Sequence, residues 1–429
     1  MSLRDGHEKH INLNVRGLPL SATIEINERS NRLLAEGKTI YKLGLGQSPF
    51  PVPQPVVEEL RANAHQKDYL PVKGLMRLRE AVADYYCRTQ GLNMNGDQVL
   101  IGPGSKELMF LLQLVYYGDL VIPTPSWVSY APQAHIIGRH VNWLQTRQEN
   151  DWLLTPEEIE KHCEKDPTRP RVFILNYPNN PTGLSYSDEQ LAALAAAARK
   201  YRLILLSDEI YGELNFTGRH CSIASHYPEG TIISSGLSKW CGAGGWRLGT
   251  FAFPKGLDWL LDGMAVVASE TFTATSAPIQ YAAVRAFSGG TRIEEYLWTS
   301  RQILKAISDH IVEKLRSAGV NVSMPDGAFY MLPDFSPMRD KLAERGIQTG
   351  SDLCNKLLDD TGVAILPGSS FGRPEEELTA RLAFADFDGA RALAAAENKP
   401  DDQPLNDKFL DTYCNKVITA IDKICKWIA

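Results

Sequence analysis

The sequence predicts an α/β protein whose larger part is a mostly parallel sheet covered by helices on both faces. Short apolar runs alternate with helical stretches through the middle of the chain, which is typical of repeated strand–helix units. Each run is almost continuously apolar, as expected for strands that are buried on both faces. The predicted strands are Val99–Ile101, Leu120–Ile122, Val172–Leu175, Leu203–Leu206, Thr231–Ser234 and Leu248–Phe253. A helix is predicted over Asp188–Tyr201, where Ser187 and Gln190 have capping-box spacing.

A second, smaller α/β domain is predicted to follow, because 429 residues are too many for one ordinary domain. After a helical region around 291–318, strand-like pieces recur on a shorter cycle at Val320–Met324, Ala328–Leu332, Val363–Leu366 and Arg381–Ala385. A polar loop over 397–404 precedes one final amphipathic helix, with apolar positions at Leu410, Tyr413, Val417, Ile421, Ile424 and Ile428. We expect an arm with part of the small domain over 1–50, a large domain over 51–305 and a small domain over 306–429.

Composition and charge exclude several classes of protein. Hydrophobic residues make up 44% and charged residues 22% of the chain, which is typical of a soluble globular protein. The net charge of -6 gives no reason to expect nucleic acid or an anionic membrane as a partner. Seven scattered cysteines fit neither a disulfide framework nor a thiolate zinc site. The N-terminus lacks the apolar core of a signal peptide, and no apolar stretch approaches the ~20 residues that span a bilayer. We expect a cytoplasmic protein without a metal site.

Ligands of open parallel sheets bind outside the carboxyl ends of the strands, and here polar residues follow almost every predicted strand. Asp208 comes directly after the run Leu203–Leu206, where a carboxylate is costly unless it is paired. It is either a turn or helix-capping residue, or the partner of a buried cation such as a protonated pyridine nitrogen. Tyr211, three residues later, would then donate a hydrogen bond to a phenolate oxygen on the same ring.

A lysine and an arginine follow the run Thr231–Ser234. Lys239 lies among small and apolar residues, a setting that lowers the pKa of an amine and suits covalent bonding to an aldehyde. The alternative is a solvated surface lysine. Arg247, eight residues later, presents the planar fork of donors that suits a phosphate.

Three further segments add weaker signals. The glycine-rich turn that contains Ser105 and Lys106 opens a helix, and free N–H groups at such a point bind anions. Trp127 either stacks on a flat ring of a ligand or is a core residue. Asn180, in the turn NYPNNPTG, is either a donor to a ring oxygen or a turn residue. Together with the amine, carboxylate and arginine, these groups match the functional groups of pyridoxal 5′-phosphate (PLP).

The segments NYPNNPTG, SDEIYG and SKWCGAGGWRLG, in this order and spacing, resemble those of the aspartate aminotransferase family of PLP-dependent enzymes (fold type I, class I/II). The resemblance extends from LGLGQSPF to RLAFADFDG, essentially the whole chain. It implies a large domain with a mostly parallel seven-stranded sheet, PLP as cofactor, a homodimer, and amino transfer from an L-amino acid to a 2-oxo acid by a ping-pong mechanism.

The resemblance also implies roles for individual residues. Lys239 matches the lysine that binds the cofactor covalently, Asp208 the acid opposite the pyridine nitrogen, and Tyr211 and Asn180 the donors to the ring oxygen. Trp127 and Ile210 match the residues on the two faces of the ring. The phosphate ligands would be Arg247, Ser238, the amides of Ser105 and Lys106, and Tyr69 from the partner subunit. Many members have a serine where this chain has Gly236, so Ser235 is the candidate for the remaining hydroxyl.

Substrate would be bound by Arg381, which matches the α-carboxylate ligand, with Asn180, Gly46 and Trp127. The family pattern also predicts cis bonds at Thr124–Pro125 and Asn180–Pro181.

Several hypotheses about substrate and reaction stay open on the sequence. Residues 256–284 contain no Lys or Arg, which weighs against one family mode of aspartate recognition. Lys106 either contacts the distal carboxylate of the substrate or reinforces the phosphate site. Trp127, Phe251 and Tyr330 are candidates for an apolar pocket. We expect glutamate/2-oxoglutarate as one pair and a neutral or aromatic amino acid in the other. The rivals are a PLP-dependent carbon–sulfur β-lyase or other fold type I enzyme, and a PLP-sensing regulator, although no helix-turn-helix pattern accompanies the fold.

Overall fold

The computed structural model describes residues 10–397 and 405–429. The polar N-terminal segment 1–9 and residues 398–404 of the predicted loop lie outside the described residues. The strands are β1 (Tyr41–Lys42), β2 (Val99–Gly102), β3 (Asp119–Thr124), β4 (Val141–Gln145), β5 (Arg171–Asn176), β6 (Ile204–Asp208), β7 (Thr231–Gly236), β8 (Gly249–Ala252), β9 (Tyr330–Met331), β10 (Val363–Ala364), β11 (Leu366–Pro367) and β12 (Ala380–Ala383). The helices are α1 (Ala22–Ala35), α2 (Gln54–Asn63), α3 (Met76–Gln90), α4 (Ser105–Val115), α5 (Tyr130–Ile136), α6 (Pro156–Cys163), α7 (Asp188–Lys200), α8 (Asp258–Glu270), α9 (Ala277–Ser288), α10 (Thr291–Ser317), α11 (Arg339–Ala343), α12 (Gly350–Thr361), α13 (Gly389–Glu397), α14 (Asp407–Tyr413) and α15 (Asn415–Ile428).

Seven strands form one sheet, in the order β2-β8-β7-β6-β5-β3-β4. The pairs from β7 through β4 are parallel, and β8 runs antiparallel to both of its neighbours. This arrangement confirms the mostly parallel seven-stranded sheet that the sequence predicted. It brings the carboxyl ends of β3, β5, β6 and β7 to the same edge of the sheet.

The central strands are apolar throughout because helices cover both faces of the sheet. Along β5, Val172 and Ile174 pack in the same core as α4 and α8, whereas Phe173 and Leu175 pack with α6 and α7 on the opposite face. Every residue of β5 and β6 is buried. Both sides of each strand thus require apolar side chains, which explains the continuous apolar runs in the sequence.

Helix α7 begins where its capping residues predicted. The Ser187 hydroxyl oxygen accepts a hydrogen bond from the Gln190 amide at 3.2 Å, and Gln190 Oε1 accepts one from the Ser187 amide at 2.8 Å. This reciprocal capping box satisfies two backbone donors that the first turn of a helix leaves unpaired.

A small unit is built from the remaining strands. Strands β11, β12 and β9 form an antiparallel sheet, and β1 pairs in parallel with β10, so the N-terminal part of the chain joins this unit. Helices α10, α12 and α15 contribute to its core. The predicted domain bounds stay a prediction, and the boundary at 305/306 lies inside α10. Within the described ranges, no helix is long and apolar enough to cross a membrane.

The backbone differs from the prediction in four features. Strand β4 was not predicted, because it lies at the sheet edge and its half-exposed, polar-containing sequence lacks an apolar run. The piece Val320–Met324 forms no strand and has only a single bridge between Asn321 and Asp334. The final helix is two helices, since Cys414 leaves the helical conformation (φ -120°) without disturbing the apolar spacing.

The fourth difference concerns proline. Thr124–Pro125 is cis, as predicted, but the second cis bond is Tyr177–Pro178 and not Asn180–Pro181. The turn NYPNNPTG contains two prolines three residues apart, and the local sequence does not distinguish them.

Candidate active site

A cavity of about 380 Å³ lies at the carboxyl ends of the parallel strands. Its volume is typical of a site for a small organic ligand. Six separate segments of the chain line it, and most of the predicted site residues are among them. The lining residues are Leu45, Gly46, Gln47, Ser105, Lys106, Trp127, Asn176, Asn180, Asp208, Ile210, Tyr211, Ser238, Lys239, Gly244, Gly245 and Arg247.

The amine of Lys239 faces this cavity. Its Nζ donates a hydrogen bond to the carbonyl oxygen of Gly46 at 2.7 Å. Burial lowers the pKa of Lys239 to about 8, and the positive charge of Arg381 contributes in the same direction. Gly46 has no room for a side chain, since a Cβ there would lie 1.9 Å from the hydroxyl of Tyr330. The chain therefore approaches Lys239 closely through bare backbone.

Asp208 ends β6 and is 3% exposed. Its Oδ2 accepts a hydrogen bond from the hydroxyl of Tyr130 at 2.5 Å, and its Oδ1 accepts a longer one from the Ile210 amide at 3.4 Å. Burial raises the pKa of the Asp208 carboxyl to about 6, although both hydrogen bonds act in the opposite direction. A cation near this carboxylate would stabilise its ionised form and so compensate the free-energy cost of its desolvation.

Arg381, on β12, reaches the same region from the small unit and is 1% exposed. Its Nη1 donates to Asn180 Oδ1 at 3.0 Å and its Nη2 to the Gly44 carbonyl at 2.5 Å, whereas its Nε has no hydrogen-bond partner among the described residues. Burial lowers the pKa of Arg381. Tyr211 lies beside it, and the hydroxyls of Tyr211 and Tyr330 share a hydrogen bond of 2.8 Å.

An anion cradle occupies the end of the cavity at the N-terminus of α4. Ser105 and Lys106 are the first two residues of that helix, where backbone N–H groups are unpaired within the helix. Arg247 approaches so closely that a Cβ on Gly104 would lie 2.2 Å from its Nη2. Within the described residues its guanidinium donates to two backbone carbonyl groups. These donors and Ser238 have the chemistry that a phosphate group requires.

Trp127 supplies a flat apolar surface to the cavity. Lys106 Nζ lies 5.1 Å from the centre of its ring, and Tyr130 meets the ring edge-on at 5.3 Å. Burial lowers the pKa of Lys106, and the charge of Arg247 lowers it further. Ile210 also lines the cavity, so apolar side chains and charged groups converge on the same space.

Comparisons with known proteins agree with this geometry. The chain matches the family described as aminotransferase class I and II over residues 38–397. It is similar to the aspartate aminotransferase of Geobacillus stearothermophilus, with 33% identity over 381 residues that cover 86% of this chain and 93% of that protein. The aspartate/prephenate aminotransferase of Thermus thermophilus is 30% identical over 83% of this chain and 90% of its own length. A solved structure of aspartate aminotransferase from Thermus thermophilus with maleate covers 97% of this chain and 99% of that chain, with a TM-score of 0.83 and 27% identity.

The chain belongs to the class I and II aminotransferase family. It is therefore an aminotransferase with the fold type I architecture expected from the sequence. The relatives from Geobacillus and Thermus are both aminotransferases, which does not favour the carbon–sulfur lyase alternative.

Five residues predicted for the site of this aminotransferase do not line the cavity. Ser235 is buried in β7, where it pairs with Thr250 of β8, so its side chain projects from a face of the sheet and not from the strand end. Tyr69 is 91% exposed. Phe251, proposed for an apolar substrate pocket, is fully buried in the core with α4 and α8. Tyr330, proposed for the same pocket, is buried, and its hydroxyl shares a hydrogen bond with that of Tyr211. Arg381 stands behind the lining and reaches the site through Asn180.

Sequence reasoning missed two residues that shape the site. Tyr130 holds Asp208, and Asn176 holds the predicted donor Asn180, because Asn176 Oδ1 accepts from the Asn180 amide at 2.8 Å. Asn176 Nδ2 also donates to the Asp208 carbonyl at 2.8 Å. Position after a strand was the available signal for both, since Tyr130 shares the segment PTPSWVSY with Trp127, and Asn176 ends β5.

Asp208→Asn should stabilise the cofactor-free aminotransferase at neutral and higher pH. Because the pKa of Asp208 is raised from 3.8 to about 6, the folded protein binds this proton more tightly than the unfolded chain. The free energy of unfolding therefore falls as the pH rises from about 3.8 to about 6. Above this range the ionised carboxylate lowers it by about 3 kcal/mol. Urea unfolding midpoints at about pH 8 and about pH 4 measure the effect, which should vanish at the lower pH.

The matched control is Asp411→Asn, which removes an exposed carboxylate on α14. It should change the unfolding midpoint little at either pH. An Asp208→Asn protein that is no more stable than the wild type at the higher pH would contradict a burial cost at this carboxylate.

Proposed function

We propose that this aminotransferase holds PLP in the cavity and moves an amino group between an L-amino acid and a 2-oxo acid by a ping-pong mechanism. The observation that carries the proposal is the convergence of a buried amine, a buried carboxylate and an anion cradle on one cavity. These groups match the aldehyde, the pyridine nitrogen and the phosphate of the cofactor. When bound, PLP supplies the electron sink that stabilises negative charge at the substrate Cα.

Lys239 and Asp208 would do the proton chemistry. The pKa of Lys239 is lowered to about 8, so a useful fraction of its amine is neutral near neutral pH. This neutral amine would hold the cofactor at its aldehyde group, and once substrate has freed the amine, it would take the proton from the substrate Cα and return it to the cofactor carbon C4′. Asp208, as a buried anion, would hold the proton on the pyridine nitrogen.

The remaining cavity residues would orient the cofactor. Tyr211 and Asn180 would donate to the ring oxygen, and Trp127 and Ile210 would contact the two faces of the ring. The phosphate would be bound by Ser238, Arg247 and the N-terminal amides of α4 at Ser105 and Lys106, the groups that form the anion cradle.

Arg381 would bind the α-carboxylate that every amino acid substrate carries. Its acceptors within the protein, Asn180 and the Gly44 carbonyl, are both neutral, and its Nε is unpaired within the described part of the chain. A buried cation without an anionic partner is costly, so a substrate carboxylate would gain a strong charge-assisted contact. The bare backbone at Gly46 would leave room for substrate beside Lys239.

Glutamate/2-oxoglutarate is proposed as one substrate pair, and a neutral or aromatic amino acid as donor in the other. Lys106 is the cavity cation that supports an acidic substrate, because its ammonium lies over the Trp127 ring and, among the described residues, forms no ion pair. The names of relatives, aspartate and asparagine–oxo-acid transaminases, add aspartate as a further candidate. Lys106 could instead serve the phosphate, and a variant separates these roles.

A cytoplasmic homodimer completes the proposal. Tyr69 is 91% exposed, as expected for a residue that reaches the cofactor phosphate of a partner subunit. All seven cysteines lie among the described residues and are free thiols, which suits a reducing compartment.

Lys239 is predicted to be the residue that PLP modifies. Borohydride reduction of the PLP-loaded protein, followed by peptide mapping, should find the cofactor attached to Lys239. Lys239→Arg keeps the charge but should lower the rate of amino transfer by about 10²- to 10⁴-fold, because the proton carrier is lost. Attachment at Lys106 or Lys73 would refute the assignment.

Lys106→Ala should weaken acidic substrates selectively. A lost charge-assisted contact costs about 1.5–3 kcal/mol of binding free energy. We therefore expect kcat/KM for glutamate to fall roughly 10- to 150-fold relative to that for a neutral amino acid. Lys73→Ala is the control, because Lys73 pairs with Asp262 and does not line the cavity. Equal losses for both substrates, with weaker PLP binding, would show that Lys106 serves the cofactor.

Mixed dimers test whether Tyr69 acts across subunits. Tyr69→Ala and Lys239→Ala homodimers should both be impaired, but a heterodimer should contain one site with both native residues. Co-expression with two different affinity tags allows the heterodimer to be isolated and its activity compared with each parent. A fully active monomer in light scattering, or no recovery in the heterodimer, would contradict the proposal.

A further inference from the structure

Arg373 joins the small unit to the seven-stranded sheet. It lies in the connection between β11 and β12, and its Nη1 reaches the ends of β3 and β4. There it donates to Gln145 Oε1 at 2.7 Å, to the Thr146 carbonyl at 3.1 Å and to Thr124 Oγ1 at 3.2 Å. The three acceptors belong to the large sheet and its loops, so this one side chain bridges two parts of the fold.

The other edge of the same guanidinium is fixed within the small unit. Nε and Nη2 donate to the two carboxylate oxygens of Glu377 at 2.9 and 2.7 Å. The Arg373 side chain is only 7% exposed, and its guanidinium carbon lies 4.5 Å from the centre of the Trp152 ring. A buried cation held on two edges resists displacement, because breaking either set of contacts leaves charge unpaired.

The segments that Arg373 joins are those that lead to the substrate side of the cavity. The Ser126 amide donates to the Phe371 carbonyl at 2.9 Å, directly before the cavity residue Trp127. On the other side, the Phe371 ring centre lies 4.9 Å from the guanidinium carbon of Arg381. Arg373 therefore fixes the distance between the loop that carries Trp127 and the surroundings of Arg381.

Access to Arg381 requires some separation of these parts. Arg381 is 1% exposed and is covered by contacts with Asn180 and Gly44. Because its guanidinium is shielded from solvent in this structure, an entering carboxylate must displace at least one of these contacts.

We propose that Arg373 is a positioning residue for amino transfer, a clamp that favours the closed arrangement in which Arg381 and Trp127 face the same substrate. The inference rests on the proposed role of Arg381 as the α-carboxylate ligand. Loss of the clamp lowers the fraction of enzyme in the arrangement that binds substrate tightly, and the apparent affinity falls by that fraction. Saturating substrate restores closure, so turnover at saturation is largely kept.

Steady-state kinetics of the PLP-loaded enzyme provide the first test. Arg373→Ala should raise KM for both the amino acid and the oxo acid by about tenfold or more, with kcat within about twofold of wild type. Arg373→Lys should behave similarly, because one ammonium cannot bridge Glu377 and Gln145 with the geometry of a guanidinium. The matched control is Arg339→Ala, since exposed Arg339 donates to the Glu376 carbonyl of the same connection without reaching the large sheet.

Hydrogen exchange of the purified protein gives a readout that does not depend on activity. Peptides that contain the Ser126 amide should exchange faster in Arg373→Ala and Arg373→Lys, and at the wild-type rate in Arg339→Ala. Gln145→Ala removes an exposed acceptor and tests the clamp even if an Arg373 variant fails to fold. In the double variant, the effects of Arg373→Ala and Gln145→Ala on KM should combine to less than their product, because they share one interaction.

The outcomes separate the clamp from the proposed function. Unchanged KM and exchange in the Arg373 and Gln145 variants, a fall in kcat at constant KM, or an equal effect of Arg339→Ala would overturn the clamp. A wild-type enzyme that transfers no amino group would overturn the proposed function, whereas faster exchange at Ser126 in the variants would still support the contact between the two units.

Discussion

The burial of ionisable side chains at the carboxyl ends of parallel strands is the constraint on which this active site depends. Asp208 ends a strand in which every residue is buried, between two helical layers that exclude water. Burial raises the pKa of its carboxyl to about 6. Near neutral pH the ionised carboxylate therefore destabilises the folded protein, and the hydrogen bond from Tyr130 compensates only part of this destabilisation. Such a carboxylate interacts more strongly with a bound cation than one already solvated by water.

Lys239 experiences the same constraint with the opposite sign. Burial and Arg381 lower the pKa of its amine to about 8. The low dielectric environment thus moves both groups towards their neutral forms, which suits the roles proposed for them, a nucleophilic amine at Lys239 and a carboxylate paired with a protonated ring nitrogen at Asp208. The sheet topology explains why the two occur together, because β6 and β7 are parallel neighbours and their ends deliver both residues to one cavity.

The fold and most of the site were predictable because their signals are local. Apolar runs marked six strands of the main sheet, and the polar residues directly after them became the cavity lining. The contact between Tyr130 and Asp208 was not predictable in this way, since it joins residues 78 positions apart. The edge strand β4 lacked an apolar run for a related reason, because one of its neighbours is solvent. The position of Ser235 inside β7, and not at its end, depended on the bounds of the strand, which the apolar pattern defines only approximately.

Arg373 and Arg381 lie in neighbouring parts of one hairpin, and both side chains are buried. They show how one residue type can either hold the chain in place or offer its charge to a ligand. Arg373 has an anionic partner, Glu377, and acceptors on both edges, so its charge is neutralised within the protein. Within the described residues, Arg381 donates hydrogen bonds only to neutral oxygen atoms, and its Nε is unpaired. Its uncompensated charge is costly in the folded protein, and the substrate carboxylate that we propose as its ligand would remove that cost. A buried arginine that lacks a protein anion therefore marks the position where an acidic group of the substrate is expected, whereas one with such an anion holds the surrounding chain in place.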